Sequence, residues 1–369
     1  MNTLREILDK EIFEQIYEYE EGVPVFKKVA ALLKEYRKVL VETLVLDAGK
    51  PYDNAEGEIS ATIRRLNMAL EEARKIFGEY VPGDWSEDTK GKVSIVLKEP
   101  VGVVLAISPF NYPVYTSIAK VVPALLAGNT VVAKPPSADP LAFLMVARLF
   151  DEAGIPPGCL NVLTAQGKVM DYFTSHECVD MITFTGSTKV GQHIAKNAGM
   201  KRLHLELGGK GCAIVLDDAD LDLAVSKILR GTDTYHNCYF APTVLDHVPL
   251  EADIAWEETF GPVATIIRVK DLNEAVEVAN RSRYGLDSCI FTNGMYNGWL
   301  AAKLLENGAV TLNDAPAHGV GFFPFGGNKA SGMGREGVGY SIDEMTRLKT
   351  VVFNLEPAGL GKVSKYYQI

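Results

Sequence analysis

Four stretches of the chain hold side chains whose types and spacing can do chemistry. In Ser108-Pro109-Phe110-Asn111-Tyr112-Pro113, two prolines stiffen a loop around one amide. A rigid amide N–H suits the stabilisation of an oxyanion, and an Asn bonded to its own loop backbone is the plainer alternative. Lys134-Pro135-Pro136-Ser137 puts a cation and a hydroxyl in a proline-fixed turn where ribose or phosphate oxygens can dock, against the alternative of a solvated surface lysine. Gly186-Ser187-Thr188-Lys189-Val190-Gly191 opens a helix, so its backbone N–H groups and the Ser187 hydroxyl can face a pyrophosphate. It is not the G-x-G-x-x-G fingerprint, which leaves an ordinary glycine turn as the other reading. Glu206 closes a short apolar run just ahead of Gly208-Gly209 and suits a general base; a structural carboxylate paired with a lysine is the alternative.

These groups act together only if the fold brings them to one place, and the apolar spacing says how. Unalternating apolar runs at 102–107, 130–133, 160–163, 181–185 and 203–205 are separated by helical segments, the clearest at 141–153 and 189–198, each followed by glycine. Strand and helix in alternation predict a parallel sheet covered on both faces, with its ligand at the carboxyl ends of the strands, where all four stretches lie. Ahead of it, apolar residues from Val29 through Leu44 predict a helix closed by Gly49 and Pro51, and Ile59, Ile63, Leu66, Leu70, Ala73 and Phe77 mark the buried stripe of a second. Residues 92–97 alternate as a two-faced strand, which with 350–353 forms a candidate arm onto another subunit. Beyond Gly211 a smaller α/β unit is predicted, with strands at 263–269, 288–291 and 309–312 and helices at 272–281 and 300–306.

Composition excludes several classes. Of 369 residues 47% are hydrophobic and 23% charged, an ordinary globular balance that rules out a disordered or fibrous chain. A net charge of −10 and a pI near 5.2 argue against binding to nucleic acid or an anionic membrane. No apolar run reaches the ~18 residues of a membrane span, because Pro109, Asn111, Pro113 and Lys120 interrupt the longest. Five scattered cysteines without a C-x-x-C pair fit a reducing compartment and no metal site, and the expected location is cytoplasmic.

With Glu257-Glu258-Thr259-Phe260-Gly261-Pro262 and Pro324-Phe325-Gly326-Gly327-Asn328-Lys329-Ala330-Ser331-Gly332, the segments resemble the aldehyde dehydrogenase superfamily in order and loop context, from residue 28 to 355. The tail is most similar to the archaeal non-phosphorylating glyceraldehyde-3-phosphate dehydrogenase branch. The resemblance implies an α/β fold with a parallel Rossmann-type dinucleotide-binding sheet, an incomplete α/β catalytic domain and a small β oligomerisation arm. It divides the chain into an N-terminal segment (1–27), a dinucleotide-binding domain (28–205, with the arm strand at 92–97), a catalytic domain (206–330) and a C-terminal return and oligomerisation tail (331–369). It makes Asn111 the oxyanion amide and Glu206 the general base. Lys134 and Ser137 then hold the adenosine ribose, Ser187 the pyrophosphate, and Glu258 with Phe260 the nicotinamide end; Ser108, Pro109, Phe110, Gly186 and Gly208 complete the cofactor set. Ser137 stands where NAD-preferring members commonly carry Glu, and losing a carboxylate that repels a 2′-phosphate favours NADP, with NAD as the second cofactor.

The departure from the family matters as much. Its G-Q-x-C nucleophile segment is expected downstream of Glu-Leu-Gly-Gly-Lys, yet residues 220–231 run into 235–244, which resembles a much later stretch, and Glu206 and Glu258 are only 52 positions apart. The nucleophile Cys and part of its domain are therefore expected to be absent, and a second junction near 26–28 replaces an N-terminal β region. Cys238 is a weak substitute nucleophile, and His318 a weak candidate for holding a substrate phosphate. The expected function is NAD(P)-dependent oxidation of a small aldehyde, first of all glyceraldehyde 3-phosphate, to its acid through a thioester, by a homo-oligomer (dimer or tetramer), with this chain inactive for lack of the thiol. The alternative is an NADP-binding pseudoenzyme or regulatory subunit.

Overall fold

The computed structural model describes residues 22–228, 241–316 and 321–355; Cys238 and His318 lie outside them. Three helices come first, Gly22–Glu35 (α1), Arg37–Ala48 (α2) and Tyr52–Ala73 (α3). Where the apolar spacing predicts one helix from Val29, the chain forms two, with the break at Tyr36 and the first reaching back to Gly22. Gly49 ends α2 at φ 65°, a left-handed conformation open to glycine without a Cβ clash, and its N–H bonds the Leu44 carbonyl. α3 buries Ile59, Ile63, Leu66 and Leu70 as predicted. It stops at Ala73, so Phe77 falls outside the stripe assigned to it and is exposed.

After Glu79–Pro82 (β1) and Lys92–Pro100 (β2), strand and helix alternate: Val103–Ile107 (β3), Tyr115–Leu126 (α4), Thr130–Lys134 (β4), Leu141–Ala153 (α5), Leu160–Val162 (β5), Gly167–Ser175 (α6), Met181–Thr185 (β6), Thr188–Asn197 (α7) and Arg202–Glu206 (β7). Strands β7, β6, β3, β4 and β5 lie side by side in that order and are all parallel. The continuous apolar runs have their reason here: Val104 and Ala106 pack under α1 to α5, while Leu105 and Ile107 pack under α6 and α7. Register aligns the carboxyl ends, with Ile107 opposite both Lys134 and Phe184, and Thr185 opposite Glu206. Loops leaving these strands therefore open on one edge.

The rest of the chain forms Ala213–Val215 (β8), Leu221–Ile228 (α8), Thr243–Leu245 (β9), Val263–Thr265 (β10), Leu272–Asn280 (α9), Tyr284–Gly285 (β11), Asp287–Phe291 (β12), Met295–Leu304 (α10), Ala309–Leu312 (β13), Asn328–Lys329 (β14), Gly332–Met333 (β15), Val338–Glu344 (α11) and Thr346–Asn354 (β16). Strands β13, β12 and β8 make a small parallel sheet, and β9 with β10 a separate parallel pair. The strand predicted over 263–269 is only three residues long, because its partner β9 ends at Leu245. The helix predicted at 300–306 begins earlier, at Met295, where exposed Met295, Tyr296 and Trp299 hide the amphipathic stripe. The C-terminal return adds two things. Strand β15 joins the large sheet antiparallel to β7, with Gly332 opposite Glu206, and β16 pairs with β2 along its full length to build the arm with β1. No helix among the described residues is long and apolar enough to cross a membrane.

Candidate active site

The twelve residues singled out by sequence line one cavity of about 1200 Å³ at the carboxyl edge of the large sheet. Lys134 is buried, not solvated, and donates from Nζ to Ser137 Oγ at 3.0 Å; Ser137 in turn donates to the Ala165 carbonyl at 3.2 Å. Burial lowers the Lys134 pKa, so the lysine gains from any anion beside it. Ser187 caps α7, its Oγ accepting the Val190 N–H, and directs that helix N-terminus at the cavity. Two glycines hold the walls close. A Cβ on Gly186 would sit 2.5 Å from Phe184 Cζ, and one on Gly208 would sit 2.5 Å from Glu258 Oε2. Glu258 accepts the Gly209 N–H at 3.4 Å and Lys210 bonds Thr259 at 3.0 Å, which pins the 257–262 loop onto the Gly-Gly turn. Across the cavity Phe260 meets Phe110, ring centroids 5.5 Å apart.

Asn111 does what the plainer reading predicted at one end and leaves the other end for chemistry. Its Oδ1 accepts the Tyr112 N–H at 3.1 Å, which orients the amide Nδ2 as the donor end. The loop is anchored from below by Glu58, whose Oε1 accepts the Val114 and Tyr115 N–H groups at 2.9 Å each while Lys50 bonds its other oxygen. Glu206 is 4% exposed, and burial, with the negative charge of Glu336 second, pushes its pKa up to about 9. Its Oε1 lies 3.3 Å from His204 Nε2 and its Oε2 has no partner. Glu336 behaves oppositely. Burial would raise it, but Lys120 Nζ at 2.7 Å from Oε1, together with His204 and Arg65, holds its pKa at about 2. Of these two buried carboxyls Glu336 keeps the charge and Glu206 keeps the proton.

Sequence reading missed Arg65, Lys120, His204 and Glu336. Lys120 carried a signal: it is the single charge in an otherwise uncharged helix, and a buried lysine, here 1% exposed at the side chain, requires a partner. Arg65 carried none. It is 6% exposed and lines the cavity; NH1 donates to the Tyr115 hydroxyl at 3.0 Å, while Nε and NH2 make no hydrogen bond, the nearest Glu336 oxygen being 4.0 Å away.

Residues 18–236 and 231–351 match the aldehyde dehydrogenase family. The chain belongs to that family. A Streptococcus equinus protein named NADP-dependent glyceraldehyde-3-phosphate dehydrogenase is 36% identical, covering 91% of this chain and 87% of its own. The structure of the Bacillus halodurans protein of that name, solved with NADP, superposes with a TM-score of 0.90 at 33% identity, over 96% of this chain and 92% of the other. A Methanocaldococcus jannaschii glyceraldehyde-3-phosphate dehydrogenase, also solved with NADP, gives 0.86 at 30%, over 96% and 94%. The likeness thus extends to bacterial and archaeal members alike. The family match breaks where two pieces meet, at 231–236. The Streptococcus equinus alignment runs over 414 positions, whereas 91% of this 369-residue chain is about 336 residues, so the relative carries positions this chain lacks.

Proposed function

We propose that the chain holds NADP along the carboxyl edge of the large sheet and receives a small anionic aldehyde of the glyceraldehyde 3-phosphate class, destined for oxidation to its acid, and that this chain lacks the thiol that begins the reaction. The observation that carries the reading is the convergence of Lys134, Ser137, the capped N-terminus of α7, Asn111 and Glu206 on one cavity. The cofactor half fits a dinucleotide: a buried cation bonded to a hydroxyl suits a 2′-phosphate, and the Ser187 cap suits the pyrophosphate. Bound NADP supplies the hydride acceptor.

The chain's own groups account for the rest. Asn111 Nδ2 donates to the aldehyde oxygen as negative charge gathers on it. Arg65, which lines the cavity beside Glu336, supplies positive charge toward the substrate's anionic group, with Tyr112 and Tyr115 forming the adjoining wall. Glu206 takes a proton from water only in its ionised form, so its base function grows as pH rises toward about 9.

Three observations support the missing thiol. None of the four cysteines among the described residues lines the cavity. Burial pushes Cys159 and Cys212 to about 11 and Cys289 to about 12, far from a reactive thiolate. The family match breaks at 231–236. Exposed Ile95, Leu97, Leu348 and Val352 on the arm support a homo-oligomer joined there.

Calorimetric titration tests the reading: NADP should bind at least as tightly as NAD, and Arg65→Met should weaken inorganic phosphate or a phosphorylated aldehyde about tenfold while sparing NADP. Failure to bind either cofactor would refute it. Intact mass against 40.2 kDa, with the coding DNA, separates a shortened enzyme from a genuine NADP-binding subunit of this length.

A further inference from the structure

We propose that His204 is the positioning residue of Glu206: its Nε2–H donates to Glu206 Oε1 and fixes the orientation of the carboxyl at the cavity wall. The pair shares strand β7, so both side chains lie on one face of the sheet, and Nε2 stands 3.3 Å from Oε1. The ring is 1% exposed and its space is built by the C-terminal return. Gly334 holds φ 88° beside it, and a Cβ there would sit 2.7 Å from His204 Cδ2. Oε1 is also the oxygen turned to the Gly326 turn, where a Cβ would come within 2.9 Å of it. Oε2 is buried and makes no hydrogen bond, and Glu206 as a residue lines the cavity.

The tautomer follows from the accounting of donors. Nδ1 has no hydrogen-bond partner. A buried N–H without an acceptor is costlier than a bare ring nitrogen, so once Glu206 has ionised the proton belongs on Nε2, where the carboxylate accepts it. Burial lowers the pKa of the ring to about 4; of the charged groups acting on it Glu336 opposes this and Lys120, Arg65 and Arg335 add to it, so the ring is a neutral donor at physiological pH. A neutral donor is what the role requires. It steadies the carboxylate that forms when Glu206 loses its proton, without adding a fixed charge to a site already balanced by Lys120 and Glu336.

The inference rests on reading Glu206 as the base. Were Glu206 structural, an enzyme restored to full length would turn over unchanged in Glu206→Gln, a result independent of the measurements that follow. The C=O stretch of the protonated Glu206 carboxyl, identified by its loss in Glu206→Gln, is titrated by infrared spectroscopy in this chain, in His204→Leu and in His204→Gln. Removing the donor should raise the midpoint, with the acid constant falling about tenfold, the size of one hydrogen bond to a charged group. The Gln variant, whose amide N–H reaches the same point, should restore the original midpoint. Equal midpoints in all three, or the same shift in both variants, overturn the proposal. Should the Leu variant fail to fold, nitrogen-15 spectra of labelled histidine in the unaltered chain decide the matter. The ring signal that moves in Glu206→Gln should show Nε2 protonated and Nδ1 bare above pH 9, where Glu206 is ionised, and the opposite tautomer or a charged ring refutes it.

Discussion

Replacing Glu206 by Gln should stabilise the protein, and more so as pH rises. In the unfolded chain this glutamate has its ordinary value of 4.5 and is ionised at pH 7; in the folded chain burial and the charge of Glu336 raise it to about 9, so folding at pH 7 must take up a proton. A folded-state pKa above the unfolded one gives stability that is complete below 4.5 and is lost as pH climbs through 9. Over the 2.5 units from 4.5 to 7, at about 1.4 kcal/mol per unit, the loss at pH 7 is ~3 kcal/mol. Gln carries no such cost, and its amide presents the same shape where the protonated carboxyl stood. Urea unfolding of both proteins from pH 4 to 9 should give equal stability near pH 4 and a widening advantage for Glu206→Gln above it. Parallel curves would show that Glu206 is ionised in the folded protein, and the assignment of charge to Glu336 alone would fall.

Lys120→Met should cost about 3 kcal/mol, the lower end for breaking a buried pair, because Arg65 remains near Glu336; adding Glu336→Gln should recover most of it in denaturation experiments. Ser137→Glu should weaken NADP about tenfold and leave NAD nearly unchanged, the loss expected for a carboxylate brought beside a 2′-phosphate at a partly screened site; equal NADP affinity before and after removes Ser137 from that role. Protein of verified 40.2 kDa mass should show no NADP-linked oxidation of glyceraldehyde 3-phosphate, and robust turnover abolished by Cys238→Ser would make that residue the nucleophile. In an enzyme with the skipped segment restored, Asn111→Ala should lower turnover ~10²–10³-fold, as measured by steady-state kinetics, the range for removing one oxyanion donor.

The large sheet was legible because its central strands are buried on both faces, which leaves short continuous apolar runs such as 103–107. The edge at which Asn111, Lys134, Ser187 and Glu206 gather followed from strand order and loop chemistry alone. Boundaries were read worst where side chains are exposed. Tyr296 and Trp299 mask the start of α10, and Phe77 looked like core because nothing in the sequence marks Ala73 as the end of α3. The buried charges, Lys120 apart, were illegible for a different reason. Arg65, Lys120, His204 and Glu336 come from two helices, a strand and the loop ahead of α11, and only the assembled fold shows that one carboxyl is paired with a lysine and the other is not.

Glu206 is sealed from one side by β15, whose Gly332 lies opposite it and approaches the Leu205 carbonyl so closely that no side chain fits. During synthesis this strand leaves the ribosome long after the rest of the cofactor sheet. The nascent half can lay down β3 to β7, but its edge at Glu206 stays open until the last tenth of the chain emerges, a late closure of the kind that slows folding. Closure of that edge therefore waits for the C-terminal return, and cutting the gene after residue 228 would release a protein whose strand β7 is unpaired on one side beside Glu206.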